Sequence, residues 1–206
     1  MKMKSLATVL LVMGMVLSLA DFSQAQMAGL PVMDTAASRE QGSLEVTPGI
    51  MIGNDMNYYG IRTTVTALDE MRVFLDLGQV DVNNADANLG LQGGVLYSLP
   101  ANDVVDLGLR GTCYYVNTDL LNLYGSNFML VFSDETLLEN LYCYGGAGLD
   151  FSRKSTDVYG GKHNHHGEIN PALSLGLSYK FSDTFSLFTE VDYVDGMYIG
   201  CGLSIR

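Results

Sequence analysis

Hydrophobic and polar residues alternate along most of the chain after residue 43, in blocks of about ten residues separated by turn-forming residues. A period of two places apolar side chains on one face of a β-strand and polar side chains on the other. Residues 171–206 hold three such blocks in succession. In the first of them, Leu173, Leu175 and Leu177 share one face, whereas serine and glycine dominate the other. The pattern predicts an all-β protein.

Nine blocks follow this pattern, and residues 127–132 can supply a tenth strand. Single-chain bacterial barrels have an even number of strands, so that both ends face the same compartment. The sequence therefore predicts an antiparallel up-and-down transmembrane β-barrel of ten strands, or of eight if the weaker blocks are loops. Inner turns are expected at residues 67–70, 99–103, 133–140 and 182–184, and outer loops at residues 53–57, 82–87, 117–125, 152–169 and 195–196.

The first 42 residues lack this alternation. Residues 1–25 have the features of a cleaved signal peptide, because Lys2 and Lys4 precede an apolar run and Ser23 and Ala25 fit a cleavage site. Residues 26–42 are small and polar without a period, and are expected to form a flexible tether. The barrel is assigned to residues 43–206. No later stretch approaches the roughly 18 consecutive apolar residues of a membrane helix.

The polar face of the predicted strands favours a membrane barrel over a soluble barrel or sandwich. It is rich in Gly, Ser, Thr and Tyr and poor in the Lys and Glu of a solvated surface. Its charges nearly balance, with six acids and five bases, as expected where buried charges must pair. The predicted lumen charge network consists of Glu45, Arg62, Arg72, Asp76, Asp106, Arg110, Asp150, Lys180, Glu190, Asp192 and Arg206.

The amino-acid composition further restricts the kind of protein and its partners. Charged residues make up 17% of the chain, and the formal net charge is −12. Such acidity excludes a nucleic-acid partner and docking on anionic lipid through a basic patch. The three cysteines are too few and too far apart for a disulfide framework, and are expected to act as small hydrophobes. Aromatic residues near strand ends are placed where a membrane girdle would lie: Tyr59, Tyr97, Tyr115, Phe151, Tyr179, Phe181 and Phe185.

The closing sequence PALSLGLSYKFSDTFSLFTEVDYVDGMYIGCGLSIR resembles the small OmpA-like and porin-like outer-membrane β-barrel superfamily. The resemblance extends in texture over residues 43–206 and is specific over about the last 36. It implies a location in the bacterial outer membrane, with membrane lipids and the barrel-assembly machinery as partners. One feature departs from the family, whose last strand usually ends in an aromatic residue. This chain ends in Ser204, Ile205 and Arg206.

The sequence KHNHHGE is the strongest candidate for chemistry. His163, His165 and His166, with Glu168, are residue types that ligate zinc or copper. They lie together in a predicted outer loop and lack a helical spacing, so a poorly organised site is expected there. We therefore expect no metal site, no cofactor and no catalytic residues.

The function expected from these features is a structural or surface-interaction role, accompanied by a narrow pore for small solutes as an option. Ten strands enclose little space, because barrels with an aqueous channel usually have about 16. The alternative is a barrel enzyme, a protease or lipid hydrolase acting at the outer rim. A soluble, lipocalin-like ligand-binding barrel is the third reading.

Overall fold

The computed structural model describes residues 29–32, 34–53, 56–82, 88–100, 105–117, 121–136, 138–158, 162–194 and 196–206. The predicted signal peptide lies outside the described residues. The strands are β1 (Leu44–Gly53), β2 (Met56–Leu68), β3 (Met71–Val82), β4 (Asn88–Ser98), β5 (Asp106–Asn117), β6 (Leu121–Glu135), β7 (Leu141–Val158), β8 (Lys162–Lys180), β9 (Phe185–Val194) and β10 (Met197–Ile205). In the described residues, no helix is long and apolar enough to cross a membrane.

The ten strands form one closed antiparallel barrel in which each strand pairs with its neighbours in the sequence. Closure is made by β1 and β10, whose paired positions run from Val46 with Ile205 to Gly53 with Tyr198. Because closure leaves no free strand edge, every strand can satisfy its main-chain hydrogen bonds within lipid. The predicted ten-stranded up-and-down barrel is confirmed, and the eight-stranded option is excluded.

The apolar phase of the strands faces outward and the polar phase faces inward. Leu75 in β3 and Leu109 in β5 are 53% and 52% exposed, and Leu177 in β8 is 45% exposed. All seven aromatic residues expected in a girdle are exposed on the wall. A soluble barrel would point these side chains into its core, because exposed apolar surface of this extent is unfavourable in water. The wall is therefore built to contact lipid, and the lipocalin-like reading is wrong.

Two predicted outer loops belong largely to strands. β6 begins at Leu121, so most of the loop expected at residues 117–125 is strand. β7 continues to Val158 and β8 begins at Lys162, so strand pairing replaces most of the loop expected at residues 152–169. The alternation of apolar and polar residues does not predict these parts of the strands, because outward-facing residues beyond the membrane need not be apolar. The inner turn expected at residues 133–140 is also shorter, because β6 ends at Glu135.

Residues 29–32 and 34–36 lie inside the barrel, in contrast to the flexible tether expected at residues 26–42. Leu30, Val32 and Ala36 are each no more than 1% exposed. The chain then reaches the inner end of the barrel, where the main-chain N–H of Arg39 donates to the carbonyl of Asp69 at 3.0 Å. A turn at Gly42, with φ of +82°, leads into β1. Glycine suits this left-handed conformation because it has no Cβ.

Candidate functional site

The residues inside the barrel before β1 form what we call the luminal segment (residues 29–32 and 34–39). The segment touches opposite sides of the wall. A Cβ built on Gly49 of β1 would lie 3.0 Å from Leu30, and the N–H of Ala36 donates to Ser133 Oγ of β6 at 2.9 Å. β1 and β6 are farthest apart in the ring of ten strands. Such contacts are possible only from within the lumen, so the segment fills its inner half.

Arg62 and Asp76 form the centre of the lumen. Arg62 Nε donates to Asp76 Oδ1 at 2.7 Å, and Arg62 Nη2 donates to Asp76 Oδ2 at 2.8 Å. The same guanidinium donates to the carbonyls of Val32 at 2.7 Å and Leu30 at 2.6 Å. Asp76 Oδ2 also accepts from the N–H of Leu30 at 3.0 Å. This fork geometry satisfies both charges although each residue is nearly completely buried.

Glu190 on β9 collects a second set of donors. Its Oε1 accepts from the N–H of Val32 at 3.0 Å and from Ser174 Oγ. Its Oε2 accepts from the Tyr144 hydroxyl at 2.8 Å. Asp192 lies two residues further along β9, opposite Ser174 in the strand register. The carboxylate of Glu190 thus ties β7, β8 and the luminal segment together.

A chain of ion pairs runs from the luminal segment to the inner end of the barrel. Arg72 Nη1 donates to Asp34 Oδ1 at 2.8 Å, and Arg39 Nη2 reaches the same oxygen at 2.5 Å. Arg39 Nη1 and Arg206 Nε both contact Glu45 Oε2, the latter at 2.8 Å. Burial alone would lower the pKa of Arg39, but the carboxylates of Asp34 and Glu45 raise it above its ordinary value. Arg39 therefore stays charged inside the protein.

Of the predicted lumen charges, eight are buried inside the barrel: Glu45, Arg62, Arg72, Asp76, Arg110, Asp150, Glu190 and Asp192. The structure brings Arg62 to Asp76 and Arg206 to Glu45. Arg72 forms its ion pair with Asp34 of the luminal segment and not with a carboxylate of the barrel wall. Asp150 accepts from the Tyr114 hydroxyl at 2.9 Å.

Lys180 and Asp106 lie away from this network. Lys180 Nζ donates to Asp183 Oδ1 at 2.7 Å in the inner turn, and this hydrogen bond lowers the pKa of Asp183 below its ordinary value. Asp106 is the half-buried first residue of β5, opposite Ser133 in the strand register. Both residues share the inward phase, but they lie at strand ends, where solvent competes for the charge.

Arg110 is buried without a carboxylate partner among the described residues. Its Nη1 and Nη2 donate to no acceptor there, and Asp192 Oδ2 accepts from no donor there. The guanidinium carbons of Arg62 and Arg110 lie 4.6 and 4.9 Å from the centre of the Phe74 ring. Arg110 is therefore in cation–π contact with Phe74.

The outer half of the lumen is apolar, which the predicted polar face did not anticipate. Inward side chains from several strands are almost completely buried there: Met51, Met56, Tyr58, Val80, Val116, Leu123, Val194 and Tyr198. We call this group the outer apolar layer. It lies above the charged centre of the lumen, because its residues come from the outer ends of the strands. Two layers therefore occupy the interior, one above the other: the outer apolar layer toward the outer end and the hydrogen-bonded luminal segment toward the inner end.

The histidine cluster falls on β8 rather than in a loop. The main chain of His163, His165 and His166 pairs with Asp157, Ser155 and Lys154 of β7. Their side chains lie outside the described residues, so the expected absence of a metal site there stays a prediction. Among the described residues, no group of three or more His, Cys, Asp or Glu is arranged to hold a metal ion.

Sequence reasoning missed the residues of the luminal segment. Asp34 and Arg39 supply ion pairs to the network, and the main chain at Leu30 and Val32 supplies hydrogen bonds. A weak signal existed in the spacing of Leu30, Val32 and Ala36, which are separated by two and four residues. Three positions are too few to distinguish a buried strand-like segment from chance.

No protein-family model and no curated protein matches the chain. Among solved structures, the chain is similar to the N-terminal β-barrel domain of Pseudomonas aeruginosa OprF, with 16% identity, coverage of 80% of this chain and 97% of that one, and a TM-score of 0.41. Neisserial surface protein A matches with 13% identity, coverage of 79% and 96%, and a TM-score of 0.40. The KdgM porin matches with 11% identity, coverage of 79% and 98%, and a TM-score of 0.43. Likenesses this distant say nothing of function.

The architecture itself therefore defines the class. Ten antiparallel strands close into a barrel, its outer wall is apolar with exposed aromatic residues, and its interior carries paired charges. These are the features of the outer-membrane type of β-barrel that the sequence resembles. The chain has the fold of a small outer-membrane β-barrel whose lumen is filled by its own N-terminal residues.

Proposed function

We propose that the protein resides in a bacterial outer membrane as a sealed barrel with a structural or surface-interaction role, and that it does not serve as a diffusion pore. Its partners in this role are the lipids around the wall and the barrel-assembly machinery. The observation that carries the proposal is the luminal segment, which is held across the lumen by a buried hydrogen bond from Arg62 and by buried hydrogen bonds to Asp76 and Glu190.

Two layers inside the barrel, the luminal segment and the outer apolar layer, argue against a narrow pore. A solute would have to pass the luminal segment and then the outer apolar layer, whose Met51, Tyr58 and Tyr198 side chains are 0% exposed. Breaking the buried contacts of Arg62 would leave Asp76 uncompensated, which is costly in a closed interior. The closed state is therefore expected to persist rather than to alternate with an open one.

The surface-interaction role is supported by the uneven height of the wall. β7 and β8 have 18 and 19 residues, whereas β9 and β10 have 10 and 9. Crossing the membrane needs about 9–11 residues per strand. Seven residues of β7 follow Phe151, and at about 3.4 Å per residue they extend the strand by roughly 24 Å along its own direction. This paired extension offers a β-sheet surface outside the lipid.

Planar-bilayer recording of the purified, refolded protein tests the sealed barrel. We expect no steady conductance, while heat-modifiable gel migration shows that the barrel is folded and fractionation shows it in the outer membrane. A stable conductance of porin size from the folded protein would contradict the proposal and make diffusion of small solutes the leading function.

The alternative of a barrel enzyme is a different class of function and has its own test. A hydrolase at the outer rim would use the histidines of β8, since no other histidine occurs in the chain. Hydrolysis of a protein or of outer-membrane lipid by the purified barrel, lost in His163→Ala, His165→Ala or His166→Ala, would replace the structural role with catalysis.

A further inference from the structure

We propose that the inner half of the lumen is a peptide-binding site, and that the luminal segment is a peptide ligand bound to it within the same chain. The proposal rests on the sealed barrel and specifies the kind of molecule that the site takes. The ligand class is an extended peptide with an apolar residue, a carboxylate four positions later and a small residue two positions after that. In this chain these residues are Leu30, Asp34 and Ala36.

The wall recognises the luminal segment chiefly through its main chain. The N–H of Leu30 donates to Asp76, and its carbonyl accepts from Arg62 at 2.6 Å and from Gln92 Nε2 at 3.1 Å. The N–H of Val32 donates to Glu190, and its carbonyl accepts from Arg62. These contacts do not depend on the identity of the bound side chains. Recognition of an extended peptide through main-chain hydrogen bonds is a common source of binding affinity.

Main-chain hydrogen bonds between the luminal segment and the wall continue toward the inner end of the barrel. The carbonyl of Thr35 accepts from Arg72 Nη2 at 2.7 Å, and the N–H of Ala36 donates to Ser133 Oγ. With the segment in place, the wall groups that make these bonds are buried, since Arg72 and Ser133 are each 1% exposed. Buried polar groups of this kind require partners, so the wall is built around an occupant.

Three contacts select among peptides. Leu30 packs against Gly49, where even an added Cβ would lie 3.0 Å away. Asp34 contacts the guanidinium group of Arg72 on the wall and that of Arg39 within the segment itself. Ala36 lies 3.6 Å from the position of a Cβ on Gly108, which leaves room for a small residue. Apolar, acidic and small side chains at these positions are therefore expected to determine specificity.

The link between ligand and barrel is a short exposed turn. Glu40, Gln41 and Gly42 are exposed, and nothing lies within 4 Å of a Cβ placed on Gly42. The contacts that hold the luminal segment in the lumen lie before this turn. Covalent attachment is therefore separable from binding, and a cut at the turn should leave a bound peptide.

The test uses the full chain with a protease recognition sequence inserted between Gln41 and Gly42. After cleavage of the folded protein, we expect the N-terminal fragment to stay with the barrel during gel filtration in detergent. Mild denaturant should release it, and a fluorescent peptide of residues 29–39 should then bind the emptied barrel. The Asp34→Asn peptide should bind about tenfold more weakly, because a charged hydrogen-bond partner is lost. The Ser38→Ala peptide should bind equally, since Ser38 is exposed.

Uncut protein supplies the occupied-site control and should not bind the fluorescent peptide. Loss of the fragment on cleavage, equal binding of a scrambled peptide, or loss of heat-modifiable migration on emptying the barrel would each overturn the peptide site. Conductance of the uncut protein separately tests whether the barrel is sealed. Failure of the peptide site can thus be distinguished from failure of the sealed barrel.

Discussion

Arg62 and Arg110 both lie beside the ring of Phe74, but their surroundings differ. Arg62 bonds Asp76 and two main-chain carbonyls, whereas Nη1 and Nη2 of Arg110 have no hydrogen-bond partner among the described residues. The alternation in the sequence placed both arginines on the inward phase. It could not assign their partners, because a period of two fixes which face a residue occupies and not how far its side chain reaches.

We predict that Arg62→Met lowers the free energy of unfolding by about 3–5 kcal/mol, because Asp76 would be left buried without its partner. Arg110→Met is the matched change and should stay within about 1 kcal/mol of the wild type, since a buried charge is replaced by an apolar side chain. Urea titration in lipid vesicles, followed by the folded band on unheated gels, measures both. An Arg110→Met variant as unstable as Arg62→Met would show that Arg110 has an ion-pair partner.

At the scale of the strand, small residues make room for the large inward side chains. Tyr144 lies over Gly176, where an added Cβ would overlap the ring and would also lie 2.8 Å from the carbonyl of Thr189. Gly93 faces outward, and the nearest atom to an added Cβ there is 3.6 Å away. Glycine on the inner wall therefore reflects packing, whereas Gly93 has no close neighbour.

Gly176→Ala should cost about 1–3 kcal/mol through overpacking, because Tyr144 would have to move from Glu190. Gly93→Ala should change stability far less. The same urea titration compares the two variants. Equal, near-neutral effects would mean that Tyr144 does not lie over Gly176.

The depth of a residue along one strand provides a second prediction for the wall. Leu75 and Gln79 both face outward on β3, and Gln79 lies beyond the apolar run that ends at Leu77. Leu75→Arg should cost about 2–4 kcal/mol in a bilayer, and Gln79→Arg about 0–1, because charge is tolerated near the interface. Refolding into lipid vesicles with equal yield and stability for both variants would contradict the membrane placement of β3.

Strand boundaries were predicted well within the lipid-facing part and poorly beyond it. The last three blocks match the inner half of β8 and the whole of β9 and β10, since apolar outward residues alternate there with small inward ones. The predicted strand at residues 127–132 covers less than half of β6. Its outer portion, with Asn122, Tyr124 and Ser126 on the outward phase, is not uniformly apolar. Where lipid does not require apolar residues, the period of two carries little information.

For the whole molecule, the closed ten-stranded barrel followed from the sequence, but the filling of its lumen did not. The luminal segment is held by side chains of strands that are far away in the sequence, as Val32 and Glu190 illustrate with a separation of 158 residues. No local pattern specifies such contacts. The predicted lumen charges, six acids and five bases, gave no sign that further charges were missing. Asp34 and Arg39 add one acid and one base, so the balance is the same with or without them.

The central claim is that the luminal segment lies inside the barrel, and a disulfide tests it most directly. Ala36 Cβ lies 3.6 Å from the Cβ position of Gly108, within the range of about 3.5–4.5 Å found across disulfides. Gly93 on the outward face supplies the control position.

With Cys113, Cys143 and Cys201 replaced by alanine, the pair Ala36→Cys and Gly108→Cys is expected to form a bond in the folded protein. A protease cut at the 41–42 turn then leaves the fragment attached until a reductant is added. Ala36→Cys with Gly93→Cys should not cross-link. No bond between positions 36 and 108 in the folded barrel, or a bond between positions 36 and 93, would contradict a segment buried in the lumen.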